Sequence, residues 1–347
     1  MKITTVGFDV AKTFLQIHGV NGQGRVAVRK QLKRGQVLNY FANLAPCLIG
    51  MEACGSAHYW ARQLAGFGHT VKLIAPQFVK PYVKTNKNDA ADAEAICEAV
   101  ARPNMRFVPV KSGEQQGVLA LHRARQGFVK ARTAQANQIR GLLAEYGVVI
   151  PKGISHIAKR LPGILEDGEN GLPGPFRALL ARLGEHLQSL GRHVEELEAQ
   201  IQLWHQDNAT SRRLAQIPGI GPITASALAA SIGDAKQFKS GRQLAAWLGL
   251  VPKQHSSGGK PLLLRISKRG DTYLRTLLIH GARAVMRCAR YKADYPESWL
   301  ACLIERRHKN VAAVALANKN ARIVWALLAH NRRYQPDYSP IESVAAA

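Results

Sequence analysis

The spacing of apolar and polar positions changes several times along the first hundred residues, and each change marks an element. Residues 3–32 hold three short extended runs, TTVGFDV, TFLQIHGV and GRVAVRKQL, and NGQG between the last two reads as a turn. QVLNYFANL then reads as a helix, CLIGMEA as a buried strand, SAHYWARQLAGFG as a helix and TVKLIAP as a strand. A further helix is expected from about Asn88 to Val100. Three hairpin-linked strands followed by alternating helices and strands predict a mixed sheet with an antiparallel edge.

Beyond RFVPVK, a long helical region is expected from about Gly113 to Tyr146. A stretch punctuated by Pro and Gly, PKGISHIAKRLPG to ENGLPGP, reads as a connector. Apolar residues then recur at Leu180, Leu183, Leu187, Leu190, Val194, Leu197, Ile201 and Trp204, in alternating steps of three and four. That is the a/d spacing of a coiled coil, and an oligomerising helix is favoured over one packed on its own domain. The last third is helical and basic, with IPGIGPITASALAASIGD placing a Gly-rich turn before an alanine-rich helix. The expected organisation is an α/β domain over 1–110, a basic helix and coiled-coil linker over 111–207, a mainly helical domain over 208–335 and a tail over 336–347.

Charge narrows the classes. Among 347 residues, 48 Lys and Arg stand against 23 Asp and Glu, a formal charge of +25. Such a chain repels itself unless it works beside a polyanion, and nucleic acid is the first candidate. A membrane partner is disfavoured, because no run approaches the roughly 20 uninterrupted apolar residues of a spanning helix. MKITTVGFDV reads as a strand and not as a signal peptide. Five cysteines without metal-ligand spacing, all in apolar contexts, suggest buried thiols in a reducing, cytoplasmic compartment. The long helix carries His122, Arg123, Arg125, Lys130, Arg132 and Arg140 with few acids, which suits either a solvated face or a nucleic-acid surface.

Against this background four acids stand out. Asp9 lies in the first strand, Glu52 ends the fourth, and Asp89 and Asp92 open the helix after the fifth. Singly, each has an ordinary explanation: strand-end acids for the first two, an N-cap with an acid three residues on for the last pair. Together they mean more. In a sheet of this order the first and fourth strands are neighbours and the helix crosses their ends, so the four carboxylates converge. Like charges a few ångströms apart cannot all stay ionised without counter-charge. Oxygen-only ligands call for Mg²⁺, or Mn²⁺ in its place, which would polarise a phosphodiester.

The strand order is that of the RNase H-like fold, and the Asp, Glu, D-x-x-D series resembles the DEDD tetrad of the Holliday-junction resolvase RuvC. GFDVAK, GMEACGSAHYW, NKNDAADAEAI, IPGIGPITA, FKSGRQLAAWLGLVP and SKRGDTYLRTLLI, in that order, resemble DEDD-type insertion-sequence transposases of the IS-one-hundred-and-ten family and its eleven-eleven subgroup. The resemblance covers nearly the whole chain. It implies a RuvC-like catalytic domain, Asp9, Glu52, Asp89 and Asp92 as metal ligands, and a nucleophilic serine in KQHSSGGKPLLLR. That position is Ser257, with Ser256 its neighbour; composition alone reads the loop as a solvated turn. The resemblance also implies a composite site shared between protomers of a dimer or tetramer, and a structured RNA of the element that selects donor and target DNA. Gly219 and Gly221 in IPGIGPITA resemble half of a helix-hairpin-helix approaching a phosphate, or else start a packed helix. Lys260, Arg265, Lys268 and Arg269 are candidate phosphate clamps or a solvated basic face.

Three rivals remain. A RuvC-like resolvase or nuclease would use water, with Ser257 structural. An actin-like sugar or acetate kinase would need a second phosphate loop and an adenosine site, and neither is present in the sequence. A non-catalytic nucleic-acid-binding protein would leave the four acids without a role.

Overall fold

The computed structural model describes residues 2–84, 88–289 and 299–336. The chain divides into two compact units, Met1–Gly113 and Glu114–Ala347. From position 337 onward, the expected tail lies outside the described residues.

In the first unit, β1 (Thr5–Val10), β2 (Phe14–Val20), β3 (Val26–Lys33), β4 (Leu48–Glu52), β5 (Thr70–Ile74) and β6 (Phe107–Val108) form one sheet in the order β3-β2-β1-β4-β5-β6. The three hairpin strands pair antiparallel, whereas β1, β4 and β5 run parallel, so the mixed sheet is as expected. The two-residue β6, antiparallel to β5, was not expected and is too short to carry a period. Alternation along the strands sorts their faces. Val6, Phe8, Leu15, Ile17, Ile49 and Met51 form a core with Phe41 of α1 (Val37–Ala42) and Trp60 and Leu64 of α2 (Ala57–Gly66). The opposite face receives α3 (Pro76–Val79) and α4 (Asp89–Val100), through Ile74, Val79, Ile96 and Val100.

What seats α4 is a pair of glycines. Gly7 and Gly50 are register partners on β1 and β4. A Cβ on Gly7 would sit 2.0 Å from the Ala93 carbonyl oxygen, and one on Gly50 would sit 2.7 Å from Val100 Cβ. The helix therefore lies directly on the strand backbones. Each glycine stands two residues before an acid, Asp9 or Glu52, so both acids share the face that α4 covers.

The second unit begins with α5 (Gly113–Ala144), α6 (Ile154–Glu166) and α7 (Gly174–Asp207). The expected connector is therefore mostly helix. Ile154, Ile157, Leu161 and Leu165 recur at helical spacing, and Leu161 packs so tightly on Gly184 that a Cβ there would meet it at 2.6 Å. That packing offsets the backbone hydrogen bond lost at Pro162 inside α6.

Helix α7 packs against α6, α8 (Ala209–Leu214) and α9 (Pro222–Ile232) of this chain and also meets α5. Trp204 Nε1 donates to Glu114 at 2.7 Å, Arg125 donates to Glu198, Phe128 meets His193 at 5.0 Å and His186 Nδ1 lies 2.8 Å from Gln135 Oε1. Tyr146, just past α5, stacks on Phe176 at 4.3 Å. Numbers rise on α5 as they fall on α7, so the two helices run antiparallel. Leu180, Leu187, Leu190, Val194 and Ile201 are buried, whereas Leu183, Leu197 and Trp204 are only partly so. On α5, His122, Arg125 and Arg132 occupy inward positions, so its covered side does not read as an apolar stripe.

The remainder packs around one core. It comprises α8 (Ala209–Leu214), α9 (Pro222–Ile232), α10 (Gly241–Trp247), the hairpin β7 (Pro252–Gln254) and β8 (Leu263–Ile266), α11 (Thr272–Ala289), α12 (Trp299–Arg306) and α13 (Lys309–Ala329). Among the described residues, α13 alone is long and apolar enough to cross a membrane by length and composition, and its Leu316, Ala317, Ala321 and Val324 belong to this core. The thiols divide: Cys47 and Cys97 are buried and Cys54 partly so, whereas Cys288 and Cys302 are exposed, against expectation.

Candidate active site

Asp89 and Asp92 do not cap α4. The N-cap is Asn88, whose side chain accepts from the Ala91 amide at 2.8 Å. With the capping role filled, both aspartates occupy the first turn, where the helix dipole favours anions. Oxygens of Asp9, Asp89 and Asp92 all come within 4.8 Å of one another. Glu52 stands outside that group of three. Phe8 pairs with Met51, so Asp9 and Glu52 are the next residues along neighbouring parallel strands, and Glu52 still acts on Asp9 through its charge. Burial, then Asp92, Asp89 and Glu52, push the Asp9 carboxyl up to about 6.

The donors fit a hard divalent cation. They are carboxylate oxygens only, and their mutual repulsion is what a bound cation removes. Cys54 does not compete as a soft ligand, because burial and the charges of Glu52 and Asp9 push its thiol up and keep it protonated. One residue at the site escaped the sequence reading. Gln16 is the register partner of Asp9 across β1 and β2, so the two side chains share a face. Its Oε1 is buried and has no hydrogen-bond partner. The signal was available in the β2 alternation, where QIH places Gln16 and His18 on the face opposite Leu15 and Ile17.

In the second unit, Ser257 lies on the exposed tip between β7 and β8. Gly258 (φ 57°) and Gly259 (φ 75°) make the tight turn, and the Lys260 amide donates to the Ser257 carbonyl at 3.1 Å. Ser256 Oγ accepts from Gln254 Nε2 at 2.9 Å, whereas the Ser257 hydroxyl has no partner among the described residues. Arg275 is buried and donates to the Leu248 carbonyl at 3.1 Å and to Thr272 Oγ1 at 3.1 Å. Lys260, Arg265, Lys268 and Arg269 are exposed.

The other expected contacts divide. Gly219 (φ 86°) faces Gly281, where a Cβ would meet the carbonyl oxygen at 2.8 Å, so its glycine serves helix packing. Gly221, the N-cap of α9, has open space beside it. Arg123 and Lys130 are exposed, Arg125 is engaged with Glu198, and Arg132 is half-buried with its Nε unpartnered. His122 is buried, with Tyr273 Oη at 3.0 Å and Ser226 Oγ at 3.1 Å.

Two family models match separate stretches of the chain. The DEDD model for IS110 elements, described as a transposase, matches residues 6–148, a span that holds all four acids. A second model, described as the transposase IS116/IS110/IS902 family, matches residues 211–296, a span that holds Ser257. A Pseudomonas aeruginosa protein named "Probable family 20 transposase" is 56% identical over 97% of this chain and 100% of its own. The transposase for insertion sequence element IS1111A of Coxiella burnetii is 46% identical, over 96% of this chain and 92% of its own. That for IS1328 of Yersinia enterocolitica is 44% identical, over 94% and 96%.

Proposed function

Because the chain belongs to the IS116/IS110/IS902 family of DEDD transposases, we propose that it cuts and rejoins the DNA strands of an insertion sequence through a serine-linked intermediate. The observation that carries this reading is the approach of Asp9, Asp89 and Asp92 within 4.8 Å around a partly buried carboxyl. These residues, with Glu52, would hold Mg²⁺ or Mn²⁺, which when bound polarises the scissile phosphodiester and stabilises charge on its oxygens. Ser257 supplies the nucleophile. A Ser257 Oγ–P bond forms and the hydroxyl proton is lost as the bond from phosphorus to the leaving sugar oxygen breaks and that oxygen gains a proton. A DNA hydroxyl later reverses the step and frees the serine. The free Ser257 hydroxyl, beside a neighbour whose own is engaged, supports that assignment over Ser256.

The N-terminal unit is read as RuvC-like, and α8, the AQIPGIG turn and α9 as helix-hairpin-helix-like. The chain's partners are read as the DNA and a structured RNA of the element that chooses sites, with which a net charge of +25 agrees without requiring two polyanions. The working form is a homodimer or tetramer.

A second reading has one observation in its favour: all four acids come from the N-terminal unit, which suffices for hydrolysis by water. The separating experiment incubates the full chain with element DNA and Mg²⁺, then quenches with detergent. Protein joined to DNA is expected for the wild type and absent from both Asp9→Asn and Ser257→Ala. Cutting that survives in Ser257→Ala but not in Asp9→Asn establishes the water nuclease instead. Activity retained by Asp9→Asn overturns both.

A further inference from the structure

Most inward-turned arginines of the second unit have their charge answered by the fold. Arg125 meets Glu198, Arg177 donates to the carbonyls of Ile164, Leu165, Leu172 and Asp167, and Arg275 donates to Leu248. Arg132 and Arg140 each keep one unpartnered Nε, and one cluster goes further. Between the start of α8 and the chain just past α13, Thr210, Arg212, Arg213, Gln216, Asn331 and Arg333 line an open concavity of about 610 Å³. Among the described residues its lining holds three guanidinium groups and no acid.

The concavity is built, not a chance gathering of surface side chains. The chain after α13 is turned back by a C-cap in which the Arg332 amide donates to the Leu327 carbonyl at 3.1 Å and residue 331 takes φ 54°. Glycine is the usual occupant of that left-handed position. Asn331 stands there instead, and its Oδ1 accepts from Arg213 Nη1 in a close contact. That contact pins the middle arginine between the two segments, and its Nε is buried with no partner. Arg212 and Arg333 are exposed, with no acid or hydrogen-bond acceptor among the described residues. Three like charges held together without an anion repel one another, and guanidinium forks match phosphate oxygens two at a time.

We infer that this concavity binds a backbone phosphodiester of nucleic acid, with Arg212 and Arg333 as the outer clamps and Arg213 as the fixed floor. The inference rests on the reading of the chain as an enzyme that handles nucleic acid, and it adds a contact remote in sequence from the serine hairpin and the acids. Thr210, Gln216 and the Asn331 amide supply neutral donors around the charge.

The test uses the full chain and fluorescence anisotropy with two probes of equal length, a duplex DNA and an RNA hairpin, across a KCl series. Arg212→Ala/Arg333→Ala removes the clamps and spares Arg213, whose contact with Asn331 serves the fold. Lys152→Ala/Lys159→Ala removes equal charge from exposed positions elsewhere. Expected for the clamp variant is roughly tenfold weaker binding of at least one probe at about 0.1 M salt, with the salt slope reduced by about one, while the control changes much less. Equal losses in the two variants, or none, overturn the inference. Stabilisation of the wild type by inorganic phosphate that the clamp variant lacks, with both probe affinities unchanged, marks a free-anion site and overturns it too. Asp9→Asn is run alongside: it tests the catalytic reading and is expected to leave the salt slope unchanged, so the two failures are told apart.

Discussion

Asp9 and Gln16 face one another across β1 and β2, and they carry opposite kinds of cost. Asp9 is an acid made harder to ionise by burial and three neighbouring carboxylates. Gln16 is a carbonyl acceptor that is buried with no donor, and a group in that state costs about 1–3 kcal/mol. A cation held at the acids would relieve both. Gln16→Leu is therefore expected to keep or raise the melting temperature while weakening Mn²⁺ binding by about tenfold in calorimetric titration. Gln16→Glu keeps an oxygen donor and should restore the affinity. A leucine variant with unchanged Mn²⁺ affinity removes Gln16 from the site.

At the scale of elements, the site depends on how closely α4 can lie on the sheet. Gly7→Ala would drive a methyl to 2.0 Å from the Ala93 oxygen and 2.5 Å from the Cys97 amide nitrogen. Both are helix backbone, so neither can yield locally, and α4 must move with Asp89 and Asp92 on its first turn. The expected result is a loss of about 2 kcal/mol or more in urea unfolding, together with weakened Mn²⁺ binding. Gly66→Ala is the control, since a Cβ there meets nothing within 4 Å and the residue lies in α2. It should be neutral or stabilising by about 0.5 kcal/mol. Equal effects from the two would mean that the close approach does not position the acids.

For the molecule as a whole, the second unit is held together by pairs far apart in sequence, and His122 sits at one such junction. The Ser226 hydroxyl donates to the Pro222 carbonyl at 2.7 Å, so its oxygen accepts from His122 Nε2–H and leaves Nδ1 to accept from Tyr273. Burial, then the charge of Arg125, pull His122 down from 6.5 to about 4. In that interval the unfolded chain binds a proton that the folded chain refuses. Stability from this group is full above pH 6.5 and is lost as pH falls to about 4, a change of about 3 kcal/mol. His122→Gln should flatten that part of the pH dependence of the urea midpoint. An unaltered acid limb in the variant would assign the loss to other groups.

The strand order, the helices and the approximate positions of the four acids were legible in the sequence because they rest on short-range rules. A period of two makes a strand, a period of 3.6 a helix, and G-x-D or G-x-E puts a glycine and an acid on one face. The same rules gave α7 its stripe, but a stripe does not name its partner. Only the tertiary structure decided which helices of the same chain lie against it, α6, α8 and α9 as well as α5, with His122, Arg125 and Arg132 turned inward. It also gave the capping role to Asn88, gave Gly219 to the packing against Gly281, and set Gln16 beside Asp9. The physical reason is common to all of these. Periodicity says which side of an element is to be covered, whereas what covers it depends on chain closure between residues that sequence separation keeps apart.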